Sequence, residues 1–281
     1  MQTNLSGSGR SVTISSDGPF TVIGERINPS GRRRLAQALS RSEMSLVRSY
    51  AMAQLEAGAH LIDVNVSVSA VDEQTVLPLA IQTVAEVTDV PLCIDTPNER
   101  ALRAALEVCP GKPLVNSVTG ERASLNSVLP LVEEYGCAVI GLTIDDQGIP
   151  WDARRRYEIA ERILDAAKAC GVPAEDVVID PLAMVVGVDQ QAALVTLEAI
   201  ELIRSRLGVN ITVGASNISF GLPERSLINR SFLTMGMAAG LNCAILDPLD
   251  VEMRRAIAAA DLLLGKDDFA VGFVGRSRHG W

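Results

Sequence analysis

The chain has 281 residues, 48% hydrophobic, 4% aromatic and 21% charged, with a formal net charge of −9. That length fits one large domain or two small ones. The acidic balance excludes sequence-independent nucleic-acid binding, and the short basic cluster Arg32–Arg34 reads as a solvated helix start rather than a polyanion site.

Residues 1–19 are polar and lack the apolar core of a signal peptide, so they are expected to form a flexible arm. Phe20–Ile27 predicts a first strand ending in Glu-Arg-Ile-Asn, broken by Pro29 and Gly31. A helical stretch follows to about Ala57, interrupted near Ser40–Ser42 and stopped by Gly58. Leu61–Val66 predicts the second strand, carrying Asp63 and Asn65, and Val71–Thr88 has helical periodicity. Pro91–Thr96 predicts the third strand, ending in Asp95, and Asn98 is placed to cap a helix over Glu99–Cys109. Pro113–Val118 predicts the fourth, with Asn116 near its end, followed by a helix over Glu121–Tyr135.

Cys137–Ile144 predicts the fifth strand, followed by Asp145 and Asp146, then a long amphipathic helix over Asp152–Cys170. Asp176–Asp180 predicts the sixth strand and Gln190–Leu207 the next helix, closed by Gly208. Asn210–Ser216 predicts the seventh strand and Glu224–Gly240 its helix. Cys243–Leu246, running into Asp247-Pro248, predicts the eighth strand, and Val251–Gly265 the last long helix. Residues 266–281 read as a short irregular tail.

Short buried runs without polar alternation indicate strands covered on both faces. Eight of them alternating with helices in about 260 residues predict an α/β fold, a (β/α)8 TIM barrel. No linker divides residues 20–265, which read as one domain. The five cysteines (Cys93, Cys109, Cys137, Cys170 and Cys243) are scattered and without a Cys-x-x-Cys pair, which fits a reducing, cytoplasmic setting. His60 and His279 belong to no cluster with zinc spacing, so no protein-bound metal is expected. No apolar run is long enough to cross a bilayer, so no membrane partner is expected.

Active sites of such barrels lie at the C-terminal ends of the strands. Those positions hold Glu25, Asn28, Asp63, Asn65, Asp95, Asn116, Asp180, Ser216, Asn217 and Asp247, with no His and no Lys. Histidine-rich metal hydrolases and Schiff-base aldolases are thereby disfavoured, and no phosphate-cradling glycine loop is present. Convergent Asp and Asn suit a flat heterocycle that presents adjacent N–H donors and a carbonyl, because a carboxylate accepts two parallel hydrogen bonds. Each of these residues could instead cap the following helix, and Asn217 could be a turn residue.

Eight ordered segments carry a family resemblance: IGERIN, GAHLIDVNV, LCIDTPN, VNSV, GLTIDDQGIP, VIDPL, GASNISF and RSLINRSFLTMGMAAGLNCAILDP. From Val22 to about Leu264 the chain resembles the pterin-binding methyltransferases that act on methyltetrahydrofolate and a corrinoid protein. The resemblance implies a barrel, a homodimer and no metal in this chain. It places pterin anchors at Asp95, Asn116 and Asp180, and a catalytic asparagine near N5 at Asn217, with Ser216 and Ser219 beside it. Arg225 falls near the folate tail, and Asp63 and Asn28 complete the expected pocket. Some members carry glutamine where this chain has Phe220, while the folate module of cobalamin-dependent methionine synthase also has phenylalanine there.

Methyltetrahydrofolate carries its methyl on N5, a poor leaving group, and the Asn217 amide would hydrogen-bond N5 as the bond breaks. The Asp-x-His-x-x-Gly loop of the usual corrinoid domain is absent, so the corrinoid is expected on a separate partner protein. Two other readings stand beside this one. A dihydropteroate synthase would carry a Ser-Arg-Lys type motif where this chain has Ser216-Asn217-Ile218. A non-catalytic folate-binding protein is the other.

Overall fold

The computed structural model describes residues 1–69 and 71–279. The chain begins with β1 (Gln2–Ser6), β2 (Ser11–Ser15), β3 (Thr21–Ile27), α1 (Arg33–Leu39), α2 (Ser45–Glu56), β4 (Leu61–Asn65) and α3 (Glu73–Ala85). It continues with β5 (Leu92–Asp95), α4 (Glu99–Val108), β6 (Leu114–Thr119), α5 (Arg122–Glu134), β7 (Ala138–Leu142) and α6 (Ala153–Ala169). The last third holds β8 (Val177–Asp180), α7 (Ala192–Leu207), β9 (Asn210–Ile211), α8 (Arg225–Ala239), β10 (Cys243–Leu246), α9 (Val251–Leu263) and α10 (Val271–His279).

Strands β3 to β10 form one parallel sheet in the order β10-β3-β4-β5-β6-β7-β8-β9. The Ile245 amide donates to the Val213 carbonyl at 2.9 Å and the Asn242 amide to Ile211 at 3.3 Å, which brings the two edges together. The result is the (β/α)8 barrel expected from the alternation. Side chains between strands and helices, such as Ile62, Val64, Leu77 and Ile81, form the outer core. A second core fills the barrel interior near the strand starts, with Ile23, Leu61, Cys93, Leu114, Ala138 and Cys243.

That inner core corrects one expectation. Residues 1–19 are not a flexible arm: β1 and β2 pair as an antiparallel hairpin. Leu5 and Ile14 join the inner core and are 2% and 0% exposed. The Asn210 amide donates to the Thr3 hydroxyl at 2.8 Å and to the Ile14 carbonyl at 2.9 Å, fastening the hairpin to β9. The alternation Thr3–Leu5 and Val12–Ile14 around a Gly7-Ser8-Gly9 turn is a period-two signal that overall polarity hides. The hairpin closes the N-terminal end of the barrel and leaves the C-terminal end open.

Two further expectations change. The tail is not irregular through residue 279, because the Asp267 carboxylate accepts from the Gly272 and Phe273 amides at 2.9 and 2.7 Å and starts α10. Residues 280 and 281 of that expected tail lie outside the described residues. The seventh barrel strand, expected over Asn210–Ser216, ends at Ile211 and gives way to a 3-10 turn over Ala215–Ser219. In that turn the Asn217 side chain folds back over Gly214, where a Cβ would stand 2.9 Å from Asn217 Nδ2.

Candidate functional site

The open end of the barrel holds a cavity of about 650 Å³. Its wall includes Glu25, Asp63, Asp95, Asn116, Asp180 and Asn217, each from the end of a different barrel strand or the turn after it. Asn28, Arg32, Ser216, Phe220 and Arg225 also line it. Sequence position alone brought nearly all of these together, because successive βα units deliver their strand ends to one rim.

The acids are arranged in amide-bonded pairs. Asn65 Nδ2 donates to Asp95 Oδ2 at 2.8 Å, and Asn116 Nδ2 donates to Asp63 Oδ1 at 3.2 Å. On β8, Asp180 Oδ1 accepts from the Leu182 amide at 2.7 Å. These contacts leave carboxylate lone pairs for a ligand, since each oxygen can accept more than one hydrogen bond. Helix capping falls to other residues: Asp72 caps α3, Asn98 caps α4 as expected, and Asp250 caps α9. The strand-end acids are therefore not helix caps.

Burial governs their protonation. It pushes Asp180 up to about 7, opposed by the Leu182 amide and the Arg156 guanidinium. It pushes Asp95 up to about 6 against the Asn65 hydrogen bond, and Glu73 adds to the rise. Asp63 is held well above the usual carboxylate range by burial and then by Asp95. Glu25 is raised by burial and opposed by its hydrogen bond from Ser216. A ligand that brings N–H donors to these groups favours their charged forms.

The turn after β9 is held by Arg225. Its NH2 donates to the Ser216 carbonyl at 2.8 Å, its Nε to the Ser219 hydroxyl at 3.1 Å, and its guanidinium lies 5.8 Å from the Phe220 ring centre. Ser216 Oγ donates to Glu25 Oε2 at 3.1 Å, bridging the turn to β3. The Asn217 side chain is exposed to the cavity and makes no hydrogen bond to the described residues.

Not every strand-end and turn residue lines the cavity. Ser219 is fully buried and absent from the cavity wall, and its hydroxyl accepts from Arg225 Nε. Asp247 also lies off the wall, paired with Arg26 at 2.8 Å. Asn28 does reach the mouth, where its side chain accepts from the Ser30 amide at 2.9 Å.

Sequence reasoning missed Arg156. It is 1% exposed on α6 and donates to the carbonyls of Pro150, Pro181 and Leu182 and to the Thr196 hydroxyl. It thereby braces the loops after β7 and β8 and the Asp180 turn. The available signal was its position on the apolar stripe Ala153, Arg156, Ile159, Ala160, Ile163 of that helix.

Among the described residues, no group of three or more His, Cys, Asp or Glu side chains is arranged to hold a metal ion, and no helix is long and apolar enough to cross a membrane.

The family described as "Pterin binding enzyme" matches residues 24–247 of this chain, a span that contains every residue of the cavity wall. The chain belongs to the pterin-binding enzyme family. This pterin-binding enzyme is 34% identical over 249 residues to the methylcorrinoid:tetrahydrofolate methyltransferase of Eubacterium limosum, covering 88% of this chain and 92% of that one. It is 32% identical over 247 residues to the methionine synthase of Mycobacterium tuberculosis, covering 83% of this chain but only 21% of that protein. Among solved structures, Yersinia pestis DHPS with a pterine-sulfa conjugate superposes with a TM-score of 0.67 at 17% identity, covering 92% of this chain and 98% of that one. Xanthomonas albilineans dihydropteroate synthase with 4-aminobenzoic acid gives a TM-score of 0.67 at 18% identity, covering 95% and 99%. At these identities the structural likeness speaks for the fold alone.

Proposed function

We propose that this enzyme moves a methyl group between N5 of methyltetrahydrofolate and the cobalt of a corrinoid carried on a separate protein, in either direction. The observation that carries the reading is the cavity wall of Asp95, Asn116, Asp180 and Asn217, in a chain collinear over 88% of its length with a methylcorrinoid:tetrahydrofolate methyltransferase.

Asp95 and Asp180 accept from the amino-pyrimidinone edge of the pterin, and Asn116 contacts it beside Asp63. Asn217 offers a side-chain amide not engaged by the described residues. Its N–H donates to N5 as charge develops there, an interaction made chiefly in the transition state. Arg225, at the mouth and stacked on Phe220, faces the anionic folate tail, with Ser216 and Asn28 completing the rim. The corrinoid is a co-substrate delivered by its own protein to the open end of the barrel. Residues 20–265 are the pterin-binding unit, and a cytoplasmic homodimer completes the proposal on the family resemblance.

A dihydropteroate synthase activity has less support. The solved structures of that kind share the fold at 17–21% identity, and Ser216-Asn217-Ile218 offers no basic side chain. The test is a spectroscopic assay of methyl exchange between free methylcobalamin and tetrahydrofolate. Exchange that depends on the protein is expected, and its absence with correctly folded protein, beside condensation of a pterin diphosphate with 4-aminobenzoate, would replace this reading with the synthase.

A further inference from the structure

Four carboxyl groups face the cavity, and their partners differ. Asp63 is held by Asn116 of β6, Asp95 by Asn65 of β4 and Asp180 by the Leu182 amide. Glu25 is held from the β9 side by the hydroxyl of Ser216, the residue directly before Asn217, and Asp180 is also reached from that side by the Gly214 amide. The strand order places β5, β6 and β8 along one arc of the wall and β9, β10 and β3 along the arc that closes it. With the pyrimidinone edge set on Asp95, Asn116 and Asp180 as proposed, the second ring, which carries N5, would project toward that closing arc. Glu25 and Asn217 stand there together.

Resting on the methyl-transfer reading, we infer that Glu25 exchanges the proton at N5 of the folate, acting as base when the folate is methylated and as acid when it is demethylated. In the methylating direction the N5 lone pair forms the bond to the methyl carbon. The electron pair of the carbon–cobalt bond returns to the metal, and the N5 proton passes to the Glu25 carboxylate. In the reverse direction the Glu25 carboxyl gives its proton to N5 as the carbon–nitrogen pair returns to nitrogen. The methyl carbon is meanwhile taken up by the electron pair of the reduced cobalt. Solvent at the open mouth restores the starting protonation state of Glu25.

The surroundings suit the task. Burial raises Glu25 above the ordinary carboxylate value, which favours its protonated form relative to an exposed acid. Asp247 just after β10 pushes the same way, while Arg32 after β3 and Arg225 on α8 oppose it, and Asp63 on β4 is the neighbouring acid on the inner wall. Asn217 then orients N5, and Glu25 moves the proton.

The variant that isolates the role is Glu25→Gln, which keeps an oxygen for the Ser216 hydroxyl and removes the ionisable proton. Single-turnover transfer between methylcobalamin and tetrahydrofolate should be followed from pH 5 to 9 in both directions, with folate affinity measured by calorimetry on the same protein. We expect a rate loss of about 10²-fold or more, one ionisation missing from the pH profile, and folate affinity nearly unchanged. Glu25→Asp should restore part of the pH dependence. A folded Glu25→Gln enzyme with the parent rate and pH profile overturns the role. So does one whose rate falls only as far as its folate affinity, with the profile intact. An inactive parent protein removes the methyl-transfer reading itself and this role with it, whereas an active parent with an unaffected variant removes Glu25 alone.

Discussion

Arg156 donates to the carbonyl of Leu182 at 2.9 Å, while the amide of the same Leu182 donates to Asp180 at 2.7 Å. The guanidinium on α6 is thus coupled through one residue to the carboxylate on the cavity wall. Leu182 has a positive φ of 67°, a conformation that a leucine holds only when its surroundings impose it.

Arg156→Met should therefore act twice. It leaves the carbonyls of Pro150 and Pro181 short of a donor, while the Leu182 carbonyl keeps the Thr196 hydroxyl, and a buried group left unpaired costs about 1–3 kcal/mol. We expect a loss of at least about 2 kcal/mol in denaturant unfolding, and weaker folate binding in the folded fraction because the Asp180 turn relaxes. Unchanged unfolding midpoints would contradict the bracing role.

Asp95→Ala and Asp180→Ala each remove a charged acceptor from the proposed pterin edge. Such a hydrogen bond contributes about 1.5–3 kcal/mol, so the folate dissociation constant should rise at least about tenfold in each variant. Calorimetry on both proteins decides, and unaltered affinity in the two would remove the pocket assignment.

Asn217→Ala separates binding from catalysis. A donor that acts in the transition state shows in kcat more than in affinity, and losing one lowers the rate about 10²–10³-fold. Folate affinity should fall less than in Asp95→Ala. If Asn217 only shapes the turn over Gly214, its loss lowers the melting temperature while the folded enzyme transfers methyl at close to the parent rate.

Asp180 makes the ligand-free protein pH-sensitive. Its folded pKa of about 7 lies above the ordinary carboxylate value, so between pH 4 and 7 the folded state binds more protons than the unfolded one. This contribution to stability is fully present at low pH and is lost as pH rises through 7. Asp180→Asn keeps an oxygen for the Leu182 amide and removes the buried charge. The variant should gain up to about 4 kcal/mol over the parent at pH 8 and little at pH 4. Paired thermal melts at the two pH values test this, and a difference that does not vary with pH would refute it.

The eight-fold alternation and the strand-end chemistry were legible in the chain itself. Parallel strands buried on both faces read as short unbroken apolar runs, such as Leu92–Ile94 before Asp95 and Val177–Ile179 before Asp180, and this connectivity sends every strand end to one rim. Asn98 was legible as a cap because capping is local, acting on amides two and three residues away. What only the tertiary structure decided involves partners far apart in sequence. Leu5 and Ile14 are buried because the N-terminal end of the barrel needs a plug, and Asn210, 196 positions after Ile14, holds them there. Ser219 is buried beneath Arg225, whose Nε donates to its hydroxyl. Arg156 is stable on an apolar stripe only because carbonyls from two other loops converge on it. Glu25 joins the site through Ser216, 191 residues later, a contact that exists only once β9 and β3 meet across β10.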